Sequence, residues 1–245
     1  MFPTPGERPL SVGSERSPGA VPRLLSIQIG PVKNLGIEGA ADPMDRPWTS
    51  GFFKEPIDGP ARLGLQGLRG DWQADRDNHG GVEKAVLAYA AAHYPHWSAE
   101  LGLPDMPFGG FGENLTMGGM DEASVCIGDT YTIGPVRVQV SQPRQPCWKL
   151  ARRWRIKDLP ARVVANGRSG WYFRVLEPGE IEAGMAVVLT GRPHPEWTVA
   201  HASEIMYHRK ADREATAALA ACPALSADWR GSLSDRAASL SPTGE

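Results

Sequence analysis

The segment SQPRQPCWKL, residues 141–150, holds a single thiol, Cys147, in a turn that Pro143 and Pro146 stiffen. Arg144, Lys149, Arg152 and Arg153 lie close to it in sequence. Positive charge and an exposed turn favour a thiolate over a thiol, whose unperturbed pKa is about 8.5. A thiolate is either a nucleophile or a soft metal ligand. The competing reading is a buried structural cysteine, the commoner state of this residue type, but a core thiol wants apolar neighbours and these are basic. Cys126, in SVCIGD, and Cys222, in AACPAL, have the apolar or helix-end setting of structural cysteines. Three widely spaced cysteines with no CxxC make neither a disulfide framework nor a zinc cluster. Any metal bound through cysteine here takes one thiolate and finds its other ligands elsewhere.

Two further segments carry chemistry. In DRDNHGGVEKAVLAY, residues 75–89, His79, Gly80 and Gly81 precede an apolar pattern (Val82, Ala85, Val86, Tyr89, Ala90) that predicts a helix over 82–94. Glycines allow close backbone approach, and the free N–H groups of a first helical turn suit a phosphate or oxyanion. A solvent-facing histidine and a plain helix start are the alternatives. HGG also occurs in hydrolase oxyanion loops, but no GxSxG accompanies it. In FGGFGENLTMGG, residues 108–119, backbone groups could cradle a ligand or simply connect two elements. The segment is not GxxxxGK[ST] and follows no predicted strand, so it gives no nucleotide site. The run KLARRWRIKD, residues 149–158, has five basic residues and one tryptophan, a pattern that serves single-stranded nucleic acid or a solvated helix face beside an anion site. The formal net charge of −2 favours the second reading.

The elements that must position these groups read as mainly β with inserted helices. Of the 245 residues 41% are hydrophobic and 22% charged, the composition of a globular chain. No apolar run approaches the roughly 18–20 residues that span a bilayer, and the first 20 residues lack the apolar core of a secretory signal. Cytoplasmic residence without membrane attachment is the expectation. Residues 1–20, rich in Pro, Gly and Ser, predict a flexible tail. LLSIQIG, residues 24–30, predicts a first strand, and 31–60 an irregular excursion with short pieces of structure. Residues 61–73 predict a strand then a loop. PHWSAELG predicts a helical turn or two ending at Gly102. Gly-Asp and Gly-Pro turns divide 123–142 into three short strands, 149–166 is helical up to Asn166-Gly167, and two strands flank the Pro-Gly turn at 178–179. Beyond 195 three helices follow, capped by Thr198, Asp212 and Ser226.

The ordered set GDWQADRDNHGGVEKAVLAY, FGENLT, IGD and VQVSQPRQPC resembles the MOSC domain, the region shared with the C-terminal part of molybdenum-cofactor sulfurases. A MOSC core followed by a short three-helix tail is similar to the stand-alone YiiM type. The resemblance implies a β-barrel over 21–195, a three-helix region over 196–245, and molybdenum cofactor (molybdopterin) binding. It implies that Cys147 ligates molybdenum. His79, Gly80, Gly81, Lys84, Gly112, Asn114 and Arg144 become expected cofactor contacts, and Glu113 or Asp75 a proton donor or orienting group. It further implies reduction of N-hydroxylated compounds, including hydroxylaminopurine-type base analogues, to amines. The chain has no flavin, haem or ferredoxin pattern, so electrons are expected from a separate reductase, which the basic helix after Cys147 could dock. A homodimer is a further expectation. Two alternatives stand beside this reading: a sulfur or cofactor carrier that uses Cys147 without turnover, and, ranked last, a nucleic-acid-binding module.

Overall fold

The computed structural model describes residues 21–75 and 80–240. The expected N-terminal tail lies outside them. In chain order the strands are β1 (Arg23–Ile29), β2 (Lys33–Leu35), β3 (Trp48–Ser50), β4 (Glu55–Pro56), β5 (Ala61–Gly64), β6 (Gly67–Leu68), β7 (Val86–Ala90), β8 (Leu115–Gly118), β9 (Thr130–Ile133), β10 (Val136–Pro143), β11 (Trp171–Glu177), β12 (Gly179–Ile181) and β13 (Val187–Gly191). The helices are α1 (His93–Leu101), α2 (Trp148–Trp154), α3 (Leu159–Asn166), α4 (Val199–Tyr207), α5 (Arg213–Ala220) and α6 (Ala227–Ser239).

Eight strands form one sheet in the order β13-β9-β10-β11-β7-β8-β1-β4, and small sheets β12-β5-β6 and β2-β3 flank it. Pairing is antiparallel except between β7 and β8. The sheet curls until its ends meet. The Leu24 amide donates to the Met185 carbonyl at 3.0 Å, Gly184 donates to Leu24 at 2.6 Å, and Val187 donates to Pro22 at 2.8 Å. The start of β1 thus bonds to the approach to β13, and the barrel expected from the sequence closes through these groups.

The predicted helix over 82–94 is not there. Only Val82–Lys84 makes a 3-10 turn, and 86–90 is the strand β7. Every residue of β7 is buried. Val86 and Ala88 enter the barrel core, while Tyr89 joins a second cluster with Trp97, Phe111, Leu150 and Leu159 under the inserted helices. A strand covered on both faces is apolar throughout and carries no period-2 signal. Pairing with β11 and β8 overrides the helix preference of its alanines. The helix α1 begins only at His93 and ends on Gly102 in the left-handed conformation, φ 64°.

The basic stretch after Cys147 is two helices, because Arg155 adopts φ 55° and ends α2. Gly167 ends α3 in the same way. Of the three strands expected over 123–142, the first is reduced to one bridge, Cys126 with Thr198. Cys126 and Cys222 are buried. The three C-terminal helices occur as read, and Thr198, Asp212 and Ser226 each accept a backbone N–H three residues on. Val199, Ile205, Leu219, Trp229 and Leu233 of this region share one core with Val138, Val140, Trp171 and Phe173 of the sheet. Among the described residues no helix is long and apolar enough to cross a membrane.

Candidate functional site

Where β10 ends, the Arg144 amide donates to the Gly170 carbonyl at 3.0 Å, holding the Pro-Arg-Gln-Pro turn against the chain that leads into β11. Three residues on, Cys147 takes an extended conformation (φ −111°, ψ 164°) as the N-cap residue of α2. Its thiol is half-buried and lies in a wall shared by two clefts. The first lies between residues 50–52, residues 72–74, the glycine-rich loop and the turn before α2. The second lies between the sheet and the C-terminal helices.

The first cleft gathers Gly80, Lys84, Gly112, Asn114, Arg144 and Cys147, six of the residues singled out in the sequence. Arg144 is its electrostatic centre. The side chain is 3% exposed, and Nη2 donates to the Phe111 carbonyl at 3.0 Å, tying the turn to the glycine-rich loop. Nη1 is buried with no partner among the described residues. Guanidinium stays charged at any ordinary pH, and an unpaired buried donor costs about 1–3 kcal/mol. An anion in this cleft would relieve that cost, so the site fits a ligand bearing phosphate. Gly112 has φ 78°, and a Cβ there would stand 2.7 Å from the Phe52 ring, so the loop can pass Phe52 only as glycine.

Asn114 is a brace as much as a contact. Its Oδ1 accepts from the Leu87 amide at 3.2 Å, and its Nδ2 donates to Gln28 O at 3.3 Å and Asp71 Oδ2 at 2.9 Å. Asp71 also pairs with Lys54, and both side chains are buried. Burial pushes the Lys54 ammonium below its ordinary pKa, against the opposing pull of Asp71. Lys84 lines both clefts and reaches Asp228 of α6 at 2.8 Å. Asp75 lines the second cleft.

Other expected residues lie elsewhere. Glu113 lines neither cleft. It is fully buried and accepts from the Gly109 amide at 2.7 Å, the Phe111 amide at 3.1 Å, Thr116 Oγ1 at 3.1 Å and the Tyr94 hydroxyl. This carboxylate folds the glycine-rich loop back on itself. Gly81 lines neither cleft; it has φ 81° and precedes a 3-10 turn, so no helix N-terminus forms beside it. His79 lies outside the described residues. Nor is the basic helix a free solvated face. Arg152 donates to the carbonyls of Pro43, Met44 and Arg46, Arg153 to that of Phe52, and Arg155 pairs with Asp45.

The sequence did not single out Lys54, Gln142 or Tyr172. Lys54 sits in an irregular segment without periodicity. Tyr172 was readable: β11 alternates, with Trp171 and Phe173 in the barrel core, so Tyr172 faces the other way. It pairs in register with Gln142 and lines both clefts. Burial raises its pKa, which keeps the phenol protonated.

The family model for the MOSC domain matches residues 75–188, which span the strands and the loop that gather this cleft. The model for the YiiM-like 3-alpha helix domain matches residues 197–239. The chain belongs to the MOSC family, in its YiiM-like branch. It is 34% identical to the protein YiiM of Escherichia coli over 76% of this chain and 84% of that one. It is 38% identical to a protein of Gibberella moniliformis named a reductase, over 76% of this chain but 32% of that longer protein. The crystal structure of YiiM from Geobacillus stearothermophilus superposes with a TM-score of 0.73 at 38% identity, covering 88% of this chain and 99% of that one.

Proposed function

We propose that this protein is a molybdenum-cofactor-binding oxidoreductase that reduces N-hydroxylated compounds to amines: R–NH–OH plus two electrons and two protons gives R–NH2 plus water. The observation that carries the reading is the pairing of Cys147, half-exposed on the cleft wall, with the unsatisfied Nη1 of Arg144 in the same cleft. Cys147 Sγ would be the protein's ligand to molybdenum, and Arg144 with Lys149 would hold the phosphate of the pterin. When bound, the cofactor would supply the two-electron redox chemistry that the reduction needs.

The chain's own residues do the rest. The stiff turn fixes the thiol, and Nη2 on the Phe111 carbonyl fixes the guanidinium. Tyr172 presents a neutral phenol to both clefts and can donate a hydrogen bond to an oxygen held between them. Electrons come from a separate reductase, and the reaction is assigned to the cytoplasm. Glu113, sealed in its loop, contributes by shaping the cleft rather than by moving a proton in it.

Molybdenum per chain tests this, on protein purified anaerobically from a host that makes the cofactor, with Cys147→Ala beside it. Near-stoichiometric metal in the wild type, lost or inactive in the variant, is expected, together with reduction of a hydroxylamine by the chemically reduced wild type. Metal without turnover would leave the carrier role for Cys147. Neither metal nor pterin in either protein, with cofactor supply confirmed, would sink the assignment.

A further inference from the structure

The two clefts share more than the wall that holds Cys147. Lys84 lines both, and its ammonium pairs with Asp228 Oδ2 at 2.8 Å. Asp228 stands in the first turn of α6 and lines the second cleft only. The two ends of this pair differ: the Lys84 side chain is 14% exposed and that of Asp228 66%. An ion pair with one end in water is worth little, so the ammonium can exchange this carboxylate for a stronger anion. A phosphate group offers more charge and stronger charge-assisted hydrogen bonds. Asp228 loses little by release, because the helix dipole favours a carboxylate in a first turn. The residue before Lys84 grips the same helix. The Ala227 amide donates to Glu83 Oε2 at 2.7 Å, and Arg174 Nη2 donates to Glu83 Oε1 and to the Ala224 carbonyl, each at 3.0 Å. The Ser226 amide donates to the Ser141 carbonyl at 2.9 Å. These bonds keep the start of α6 anchored when Lys84 turns away, so only the Asp228 side chain is set free.

We propose that Lys84 couples the two clefts: an anion in the first draws its ammonium away from Asp228, and the released carboxylate becomes an acceptor in the second. The second cleft thus gains an unpaired negative charge only when the first is filled. Binding is then ordered, first cleft before second, for any ligand that presents an N–H or a cation to Asp228. Coupling of this kind is reciprocal, so a group that occupies Asp228 from the second cleft also frees Lys84 and tightens the anion by the same factor. The coupling rests on the phosphate-binding reading of the first cleft, not on the metal. It gives the C-terminal helices a part in binding on the barrel side, through one side chain of the turn 82–84.

The test is a double-mutant cycle on pyrophosphate binding to the metal-free full chain, with wild type, Asp228→Asn, Lys84→Met and the double variant. Asp228→Asn removes the competitor for Lys84, so pyrophosphate should bind about two- to fivefold tighter, the range of an exposed ion pair. Lys84→Met should weaken pyrophosphate, and in that background Asp228→Asn should change nothing. In wild-type protein labelled at the aspartate carboxyl carbons, the Asp228 resonance, assigned by its loss in Asp228→Asn, should shift as pyrophosphate is added. This arm decides the matter even where Lys84→Met does not fold. A pyrophosphate affinity that Asp228→Asn leaves unchanged overturns the coupling. Equal tightening by Asp228→Asn with and without Lys84 overturns it as well, because that is the long-range field of a removed charge. A wild type that binds no pyrophosphate, or an Asp228 resonance that stays in place, does the same. Coupling found in a protein that takes up no molybdenum upholds Lys84 while the redox reading fails. Protein that holds molybdenum and turns over, but whose cycle is additive, does the reverse.

Discussion

Arg144 is the residue on which the first cleft depends. It is a permanent cation in a site where each polar group must be paired, and half of its fork is spent on Phe111 while the other half is not. Arg144→Met keeps only the inner, apolar part of the side chain, removes the unpaired donor and also removes the Phe111 bond. The gain and the loss are each about 1–3 kcal/mol, so they nearly cancel. A melting temperature within a few degrees of wild type is expected, since 1 kcal/mol shifts a chain of this size by about 2–4 °C. Pyrophosphate binding, followed by calorimetric titration, should fall by at least about tenfold, because a charge-assisted bond is lost. A variant that melts far lower yet binds pyrophosphate as before would make Arg144 a structural residue.

At the scale of elements, α2 holds more than Cys147. Its arginines reach back across more than 100 residues to hold the strap 42–53 against the cleft. That strap carries Ser50, Gly51 and Phe52 into the lining. The Arg152 guanidinium also lies 5.2 Å from the Trp48 ring and 5.6 Å from the Trp148 ring. Arg152→Ala is therefore expected to raise amide hydrogen exchange in 42–53 selectively and to weaken ligand retention in the first cleft. The global stability cost should be modest, about 1–2 kcal/mol, for carbonyl bonds that are partly exposed. Unchanged exchange in the strap would show that β2–β3 pairing holds it alone. Such long-range bonds are what a sequence conceals. The run of five basic residues was visible as charge, but nothing local says that three of them serve a strap far upstream. What was legible had local causes. Thr198, Asp212 and Ser226 announce their helices because capping is a matter of four consecutive residues. The alternation of Val136, Val138 and Val140 announces β10, because one face is covered. β7 was misread because both of its faces are covered, and Lys54 was missed because its partner Asp71 lies across a loop. Cys147, Arg144, Lys84, Gly80, Gly112 and Asn114, named from separate motifs along the sequence, line one cleft in space.

At the scale of the molecule, the barrel and the helical region share one core, a second cluster lies under the inserted helices, and buried hydroxyls belong to both. All five tyrosines, at 89, 94, 131, 172 and 207, have pKa values raised above 10.0, chiefly by burial. The sign follows from linkage. A group whose folded pKa is raised keeps its proton in the fold while the unfolded chain loses it, so its contribution is fully present below about pH 10 and is lost above. Lys54 has the opposite sign: its folded pKa is lowered from 10.5, so stability owed to it rises with pH until the unfolded lysine has also titrated. Magnitude decides between them. Each group changes stability by about 1.4 kcal/mol per pH unit in its window. Tyr89, Tyr94 and Tyr131, all at most 5% exposed, together remove about 4 kcal/mol per unit, against one lysine that stops contributing near the same pH. Stability should therefore hold up to about pH 10 and then fall steeply. Urea midpoints measured across this range, beside the ultraviolet absorbance of phenolate, check it. The expected result is no phenolate signal at about pH 10 in the folded protein, followed by its appearance together with loss of the far-ultraviolet dichroism. Gradual phenolate formation in a protein that stays folded would mean that these hydroxyls are open to water, and that both clusters breathe far more than their packing implies.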